Sequence, residues 1–221
     1  MIGTIGELLP VALGVAISPM PIIAVIVMMF GKRPVPAAVS FAVGWIIGVT
    51  ATTGIVMLVA TPVEESAAPP VWVSVVKLLF GVLFLLMAVK QWRGRPRGDE
   101  EPQMPGWMAA VDSMTPVKSA GLAAFLAGVN PKNLALCAAA GTVIGSAGLS
   151  AGGAIGSLVI FVALASVTVV GPVLAFLLAR RKIEGALNNL RTWLIKNNAP
   201  VMTVLLLVLG VNFVGQGIGG L

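Results

Sequence analysis

Two short segments of this 221-residue chain place prolines beside polar residues within long apolar stretches. They are Ser18-Pro19-Met20-Pro21 and Asn130-Pro131-Lys132-Asn133. Ser and Asn are favoured helix N-caps, and Pro is favoured at the first helical position. Each segment therefore predicts a helix that breaks and starts again, with the Ser18 or Asn130 side chain near the cap N–H groups. Free backbone N–H groups and the positive end of a helix dipole lie at such a start.

Lys132 adds a full charge to the second of these starts. A lysine inside a membrane-spanning stretch costs at least ~2.5–3.5 kcal/mol and is by default a functional candidate. A cation at a helix N-terminus indicates an anionic ligand group, such as a phosphate, sulfate or carboxylate. Two alternatives stand beside this interpretation. The prolines are simple packing kinks, or Lys132 pairs with Asp112 or Glu7 or extends to the membrane surface.

The amino-acid composition indicates that the two proline-containing segments lie within transmembrane helices. Hydrophobic residues make up 58% of the chain and charged residues only 10%. Soluble domains carry about 25% charged residues, so we predict an all-α polytopic membrane protein with one domain and six transmembrane helices. The stretches that reach the roughly 20 apolar residues needed for a span are 10–30, 37–60, 71–89, 119–140, 154–179 and 200–221.

The basic residues predict an orientation. Of the 14 Lys and Arg residues, 12 lie in three connectors, near residues 32–33, 90–118 and 180–196. Basic loops stay in the cytoplasm, so both termini should be extracytoplasmic in a cytoplasmic membrane. The first span lacks a basic leader and a cleavage pattern, so we expect it to be a retained helix rather than a signal peptide.

The two breaks occupy corresponding places, because each lies in the first span of a set of three. Segments 78–84 and 207–213 also look alike, with Gly81 matching Gly210 and Phe84 matching Phe213. An odd number of spans per repeat forces opposite orientations, so the pattern predicts a 3+3 inverted repeat with helices 1 and 4 broken at mid-membrane. Repeat 1 covers about residues 6–91, a cytoplasmic connector 92–117, and repeat 2 about 118–221. Paired broken helices in inverted repeats are typical of transporters.

Glycines in the spans predict close helix packing. The residues are Gly44, Gly48, Gly54, Gly81 and Gly210.

These motifs resemble the GAP family of actinobacterial membrane proteins, the glycolipid- or sulfolipid-addressing proteins, within the lysine-exporter-like superfamily. The similar residues are 17–22, 77–81, 107–108 with Asp112, and 130–134. Amino-acid exporters of the superfamily carry Pro-Gly-Pro in span 1, and Met20 replaces that glycine here, which favours the glycolipid branch. The resemblance implies a role in moving or displaying cell-envelope glycolipids at the surface.

The leading hypothesis is a transporter that moves an anionic glycolipid, lipid precursor or small envelope metabolite outward. Its substrate-binding residues would be Ser18, Pro19, Pro21, Asn130, Pro131, Lys132, Asn133, Lys77 and Asp112. The alternative for Lys77 is that its stem reaches the outer interface. The chain has no GxxxxGK[ST] motif, so energy would come from a gradient, exchange or a partner.

Two other functions stay open, namely a membrane enzyme that transfers acyl or glycosyl groups and an accessory subunit of a larger lipid-export machinery. The chain has no His and no Tyr, and its one Cys excludes an internal disulfide. We therefore predict no enzyme activity, no metal and no cofactor. The expected partner is a membrane lipid or an anionic precursor rather than nucleic acid, and a homo-oligomer is an open alternative.

Overall fold

The computed structural model describes residues 2–60, 71–95, 111 and 114–220, and the elements in these ranges are helices. A helical stretch from Ala151 to Ile218 has non-helical backbone angles at Ala179 (φ −145°, ψ 41°) and forms two helices there. The helices are α1 Ile2–Ala16, α2 Pro19–Met29, α3 Pro34–Ala60, α4 Val71–Arg93, α5 Pro116–Gly128, α6 Pro131–Gly145, α7 Ala151–Arg180 and α8 Lys182–Ile218.

The predicted six-span architecture with two broken spans is confirmed. Helices α3, α4, α7 and α8 are each long and apolar enough to cross a membrane. The α1–α2 pair is bent by 49° and the α5–α6 pair by 65°, and each pair passes the same test together. The predicted ends are less accurate, because α1 begins at Ile2 and α8 at Lys182. Leu187 and Leu194 are buried and hold the first turns of α8 against the bundle.

Helix α3 packs parallel to the broken α5–α6 span. A Cβ atom at Gly44 would lie 2.7 Å from the Cα of Ala120, and one at Gly145 would lie 2.9 Å from the Cβ of Ala60. Backbones that approach this closely require glycine. Among the described residues, a Cβ at Gly54 would meet only a leucine side chain at 3.9 Å, so the prediction of close packing is wrong for that residue.

Helices α4 and α8 pack antiparallel. The Ser74 hydroxyl donates a hydrogen bond of 2.9 Å to the carbonyl oxygen of Gly220. Further along, a Cβ at Gly81 would lie 3.0 Å from the carbonyl oxygen of Gly210. The rings of Phe84 and Phe213 meet edge to face, with centroids 5.8 Å apart.

The residues that match between the two halves of the sequence therefore meet each other in space. Such a meeting is expected at a local two-fold axis. In each half, a broken span is followed by two continuous spans, and the two halves run in opposite directions. These features give the 3+3 inverted repeat that the sequence predicts.

Candidate functional site

The break in the first span begins a new helix at Pro19, with Ser18 at the N-cap position (φ −72°, ψ 110°). The Ser18 side chain makes no cap hydrogen bond, so the predicted capping role is wrong for this residue. Pro19 and Pro21 carry no N–H group. Of the first three residues of α2, only Met20 can therefore offer a backbone donor, and this helix start is a weaker anion site than the sequence suggested.

The break in the fourth span is capped as predicted. Asn130 is the N-cap of α6 (φ −60°, ψ 119°), and its Oδ1 atom accepts a hydrogen bond of 3.1 Å from the backbone N–H of Lys132. Pro131 takes the first helical position, where its missing N–H has no cost. This local geometry fixes where the Lys132 side chain leaves the backbone.

The break in span 1 also frees carbonyl groups at the end of α1. In a continuous helix the Gly14 carbonyl would accept from the N–H of Ser18, but that N–H donates to Val15 instead. The Nζ atom of Lys132 donates to the Gly14 oxygen at 2.9 Å, and the Thr168 hydroxyl donates to the oxygen of Ala16. Side chains of the second half therefore complete the broken helix of the first half.

Lys132 is 7% exposed, and its Nζ atom also lies 3.7 Å from the sulfur of Met202. Within the described ranges, the two carboxylates are Glu7 and Glu184, and neither forms an ion pair with Lys132. The end of α1 supplies only about half a unit of opposing charge. A buried ammonium without a carboxylate partner is costly, so an anion in the site would be stabilised.

The two breaks face one cavity of about 160 Å³. It is lined by Ser18, Pro19, Met20, Met87, Gln91, Asn130, Lys132, Asn198, Met202 and Leu206. The Nδ2 atom of Asn130 lies 3.9 Å from the sulfur of Met20, so the breaks are in contact across it. At ~30 Å³ per water the cavity has room for about five water molecules. That volume accommodates a sulfate- or phosphate-sized group, but it is below the roughly 300 Å³ where drug-sized pockets begin.

The cavity lies on one side of the breaks. Its lining includes Gln91 and Asn198, which belong to the ends of α4 and α8 that carry the basic residues Arg93 and Lys196. We call this the basic end of the bundle. Toward the opposite end the helices are in close contact, since a Cβ at Gly14 would lie 3.0 Å from a leucine of α8 and 3.1 Å from a leucine of α6.

The predicted site residues are only partly brought together. Ser18, Pro19, Asn130 and Lys132 line the cavity, whereas Pro21, Pro131 and Asn133 are not among its lining residues. Asn133 is buried behind it, where its Nδ2 donates to the carbonyl oxygen of Leu126 and its Oδ1 has no hydrogen-bond partner among the described residues.

Two other predicted residues lie outside this arrangement. The Nζ atom of Lys77 lies 3.9 Å from an oxygen of Glu7, away from the cavity lining. Glu7 therefore lies next to Lys77 and forms no ion pair with Lys132. Asp112 lies outside the residues that the structure describes.

Sequence reasoning missed two polar residues of the lining, Gln91 and Asn198. Both lie just outside the predicted spans, since the third span is predicted to end at residue 89 and the sixth to begin at residue 200. The similarity of segments 78–84 and 207–213 contains a signal that could have identified these two residues. It implies that spans 3 and 6 pack against each other, and their basic ends then lie side by side.

A comparison with protein families identifies a match over nearly the whole chain. The model of a family described as "Sap, sulfolipid-1-addressing protein" matches residues 8–219. No curated protein and no solved structure matches the chain.

Proposed function

The chain belongs to the sulfolipid-1-addressing protein family, and we propose that it carries an anionic cell-envelope lipid from the cytoplasmic to the outer side of the membrane. The observation that carries this proposal is the Lys132 ammonium, which is buried at a cavity between two broken helices and has no carboxylate partner among the described residues. Because the family is named for a sulfolipid, we infer that the anion is the sulfate group of such a lipid.

The number of N–H donors on the Lys132 ammonium group supports an anion as the ligand. An ammonium group has three N–H donors and no acceptor. Gly14 and Met202 accept two of them, and the third is available to a group in the cavity. The side-chain amides of Gln91 and Asn198 lie in the same lining and add neutral donors.

The cavity volume limits which part of the lipid it takes. About 160 Å³ accommodates a sulfate or phosphate group but no acyl chain. We therefore assign the cavity to the charged group of the lipid alone. The sugar and the hydrocarbon lie outside it, in the headgroup layer and the bilayer core.

The direction of movement follows from the predicted orientation. Basic loops stay in the cytoplasm, which makes the cavity accessible from the cytoplasmic side and closed by α1, α6 and α8 toward the outside. Outward release then requires the two repeats to rock about their interface. The hydrogen bond between Lys132 and Gly14 crosses that interface, so we assign it to the inward-facing state.

Reconstitution of the purified protein in sealed liposomes tests this function. A sulfated glycolipid with a fluorescent acyl chain is placed in both leaflets, and a membrane-impermeant reductant bleaches the outer leaflet. Carrier activity makes the protected inner pool accessible, and the unsulfated analogue stays protected. A modified lipid product would instead establish the transferase alternative. A sulfated lipid that stays protected would contradict autonomous transport, and activity restored by an added export complex would establish the accessory role.

A further inference from the structure

Helices α4 and α8 are in close contact at one end of the bundle and line a groove at the other. A Cβ at Gly81 would lie 2.7 Å from the backbone nitrogen of Val214, and one at Gly217 would lie 2.5 Å from a side-chain atom of Leu78. These contacts leave no space between the two helices. Toward the basic end the same pair encloses a groove of about 400 Å³.

The groove has an apolar wall on the outside of the bundle. Its lining consists of Leu85, Ala88, Val89, Trp92, Arg93, Thr203 and Leu207. Val89 and Leu207 are half exposed. Because α4 and α8 are membrane-spanning helices, this exposed face contacts the hydrocarbon of the bilayer.

The α4–α8 pair separates this groove from the polar cavity. On α4, Met87 and Gln91 line the cavity, whereas the adjacent Ala88 lines the groove. On α8, Met202 lines the cavity and the adjacent Thr203 lines the groove. A displacement of the two helices at their basic ends would therefore join the two spaces.

The rim of the groove is basic. Arg93 is part of the lining and is exposed. The guanidinium carbon of Arg95 lies 3.5 Å from the centroid of the Trp92 ring, and its Nη1 donates to the Trp92 carbonyl at 3.1 Å. Cations at the mouth of an apolar groove complement a molecule that has an anionic headgroup and a hydrocarbon tail.

We propose that the groove between α4 and α8 is a lateral portal for an anionic membrane lipid. One acyl chain lies along Ala88, Val89 and Leu207, and the headgroup is held near Arg93 before it passes between the helices to the cavity. This inference rests on the proposed function and names the route by which the lipid reaches the site. The route lets the acyl chain stay in an apolar environment while only the charged group enters the cavity.

Lipid binding in the groove can be measured without transport. Trp72 and Trp92 lie near opposite ends of α4 and are 46% and 47% exposed, which makes Trp92→Phe and Trp72→Phe a matched pair. The wild-type protein and both variants are placed in phosphatidylcholine vesicles that contain a small fraction of brominated phosphatidylglycerol or brominated phosphatidylcholine. Bromine quenches tryptophan on contact.

We expect Trp92 to be quenched about fivefold more effectively by the anionic brominated lipid than by the zwitterionic one. In a Trp107→Phe, Trp193→Phe background, which removes the other tryptophans of the basic segments, this preference should vanish in Trp92→Phe, persist in Trp72→Phe and fall in Arg93→Gln. Equal quenching of Trp92 by both lipids would overturn an anionic-lipid site in the groove.

The opening of the portal is tested by cross-linking. In a Cys137→Ala background, cysteines replace Ala88 and Leu207 across the groove and are joined by a short bifunctional maleimide. The control pair replaces Ser74 and Gly220, which already touch at the opposite end of the same two helices. Both cross-links join the two repeats, so the readout is binding of the sulfated headgroup to the inward-facing cavity rather than transport. We expect the first cross-link to slow this binding at least about tenfold, as a blocked gate would, and the control cross-link to leave it unchanged.

Unimpaired headgroup binding with the first cross-link in place would overturn the portal while leaving the carrier function intact. If the protein without a cross-link moves no lipid, the carrier function fails, and the quenching of Trp92 still decides whether the groove binds an anionic lipid.

Discussion

The Nζ atom of Lys132 lies 2.9 Å from the carbonyl oxygen of Gly14, so that the buried cation of one repeat completes the broken helix of the other. The bond places a positive charge at the C-terminal end of α1, where a helix dipole favours it. Sequence reasoning placed Lys132 at the start of α6, which is correct, but the end of α1 is its nearest partner. The residue is therefore both a structural link between repeats and the cation of the cavity.

Replacement of Lys132 by Met separates these two roles. Met keeps an apolar stem of similar length but removes the charge, so we expect affinity for a sulfated headgroup to fall at least about tenfold, or 1.4 kcal/mol. We expect the free energy of unfolding to change by less than about 1.5 kcal/mol, because loss of the bond to Gly14 is offset by relief of a buried charge. Calorimetric titration in nanodiscs and unfolding in detergent measure these quantities.

Lys77→Met is the matched control, since it removes the same charge from a residue that pairs with Glu7 outside the cavity. Wild-type affinity in Lys132→Met, or an equal loss in both variants, would remove the basis for assigning the anion to Lys132.

The two helix starts should differ in their sensitivity to alanine. Asn130→Ala removes the side-chain oxygen that accepts from the N–H of Lys132, and loss of such a cap costs about 0.5–2 kcal/mol. Ser18→Ala removes a hydroxyl that makes no cap bond, so its effect should be smaller. Denaturation of both variants in mixed micelles compares them, and an equal loss of stability would contradict the asymmetry of the two caps.

Helix packing at the repeat axis should not tolerate a side chain. A Cβ at Gly81 would lie 2.7 Å from the backbone nitrogen of Val214, whereas a Cβ at Gly215 would have no described residue within 4 Å. Overpacking of this kind costs about 1–3 kcal/mol, so we expect Gly81→Ala to lower the free energy of unfolding by that amount. Gly215→Ala should be close to neutral in the same measurement. Equal stability of the two variants would show that α4 and α8 are not held this closely.

The orientation is open to a direct test. The asymmetry of Lys and Arg between loops predicts an extracytoplasmic C-terminus. Alkaline phosphatase fused to the C-terminus should be active in cells, and a fluorescent protein fused there should be dark. The reverse result would place the cavity on the outer side and would turn the proposed export into uptake.

The fold could be predicted from short sequence patterns, because each pattern involves only a few adjacent residues. The prolines at residues 19, 21 and 131 stand beside Ser and Asn, which are favoured N-caps, and so predict that a helix ends and restarts there. The matched glycines at residues 81 and 210 predict a close approach of two helix backbones. The structure contains both the helix breaks at the prolines and the close approach at the glycines.

Contacts between distant segments were harder to predict. The cavity lining at Gln91 and Asn198 depends on how α4 and α8 cross, and a polar residue near the end of a span is indistinguishable from a loop residue in the sequence. Ser18 was assigned a cap because of its type. However, α2 has Pro at its first and third positions, and Pro has no N–H group. Most of the N–H groups that a cap would accept from are therefore missing.

The prolines of the first break should be necessary for the site. If Pro19 and Pro21 are both replaced by Ala, span 1 can continue as one helix, and the N–H of Ser18 can then donate to the carbonyl of Gly14 in the usual helical pattern. Lys132 would lose its nearest partner.

The straightened helix would also pass through the space that the cavity now occupies. We expect this variant to be at least as stable as the wild type, because it regains helical hydrogen bonds, but inactive in headgroup binding and lipid movement. Pro10→Ala is the matched control, since Pro10 lies inside the continuous helix α1, one turn before Gly14. Pro10→Ala should bind as the wild type does, and binding that survives in the double variant would show that the broken backbone is not what forms the anion site.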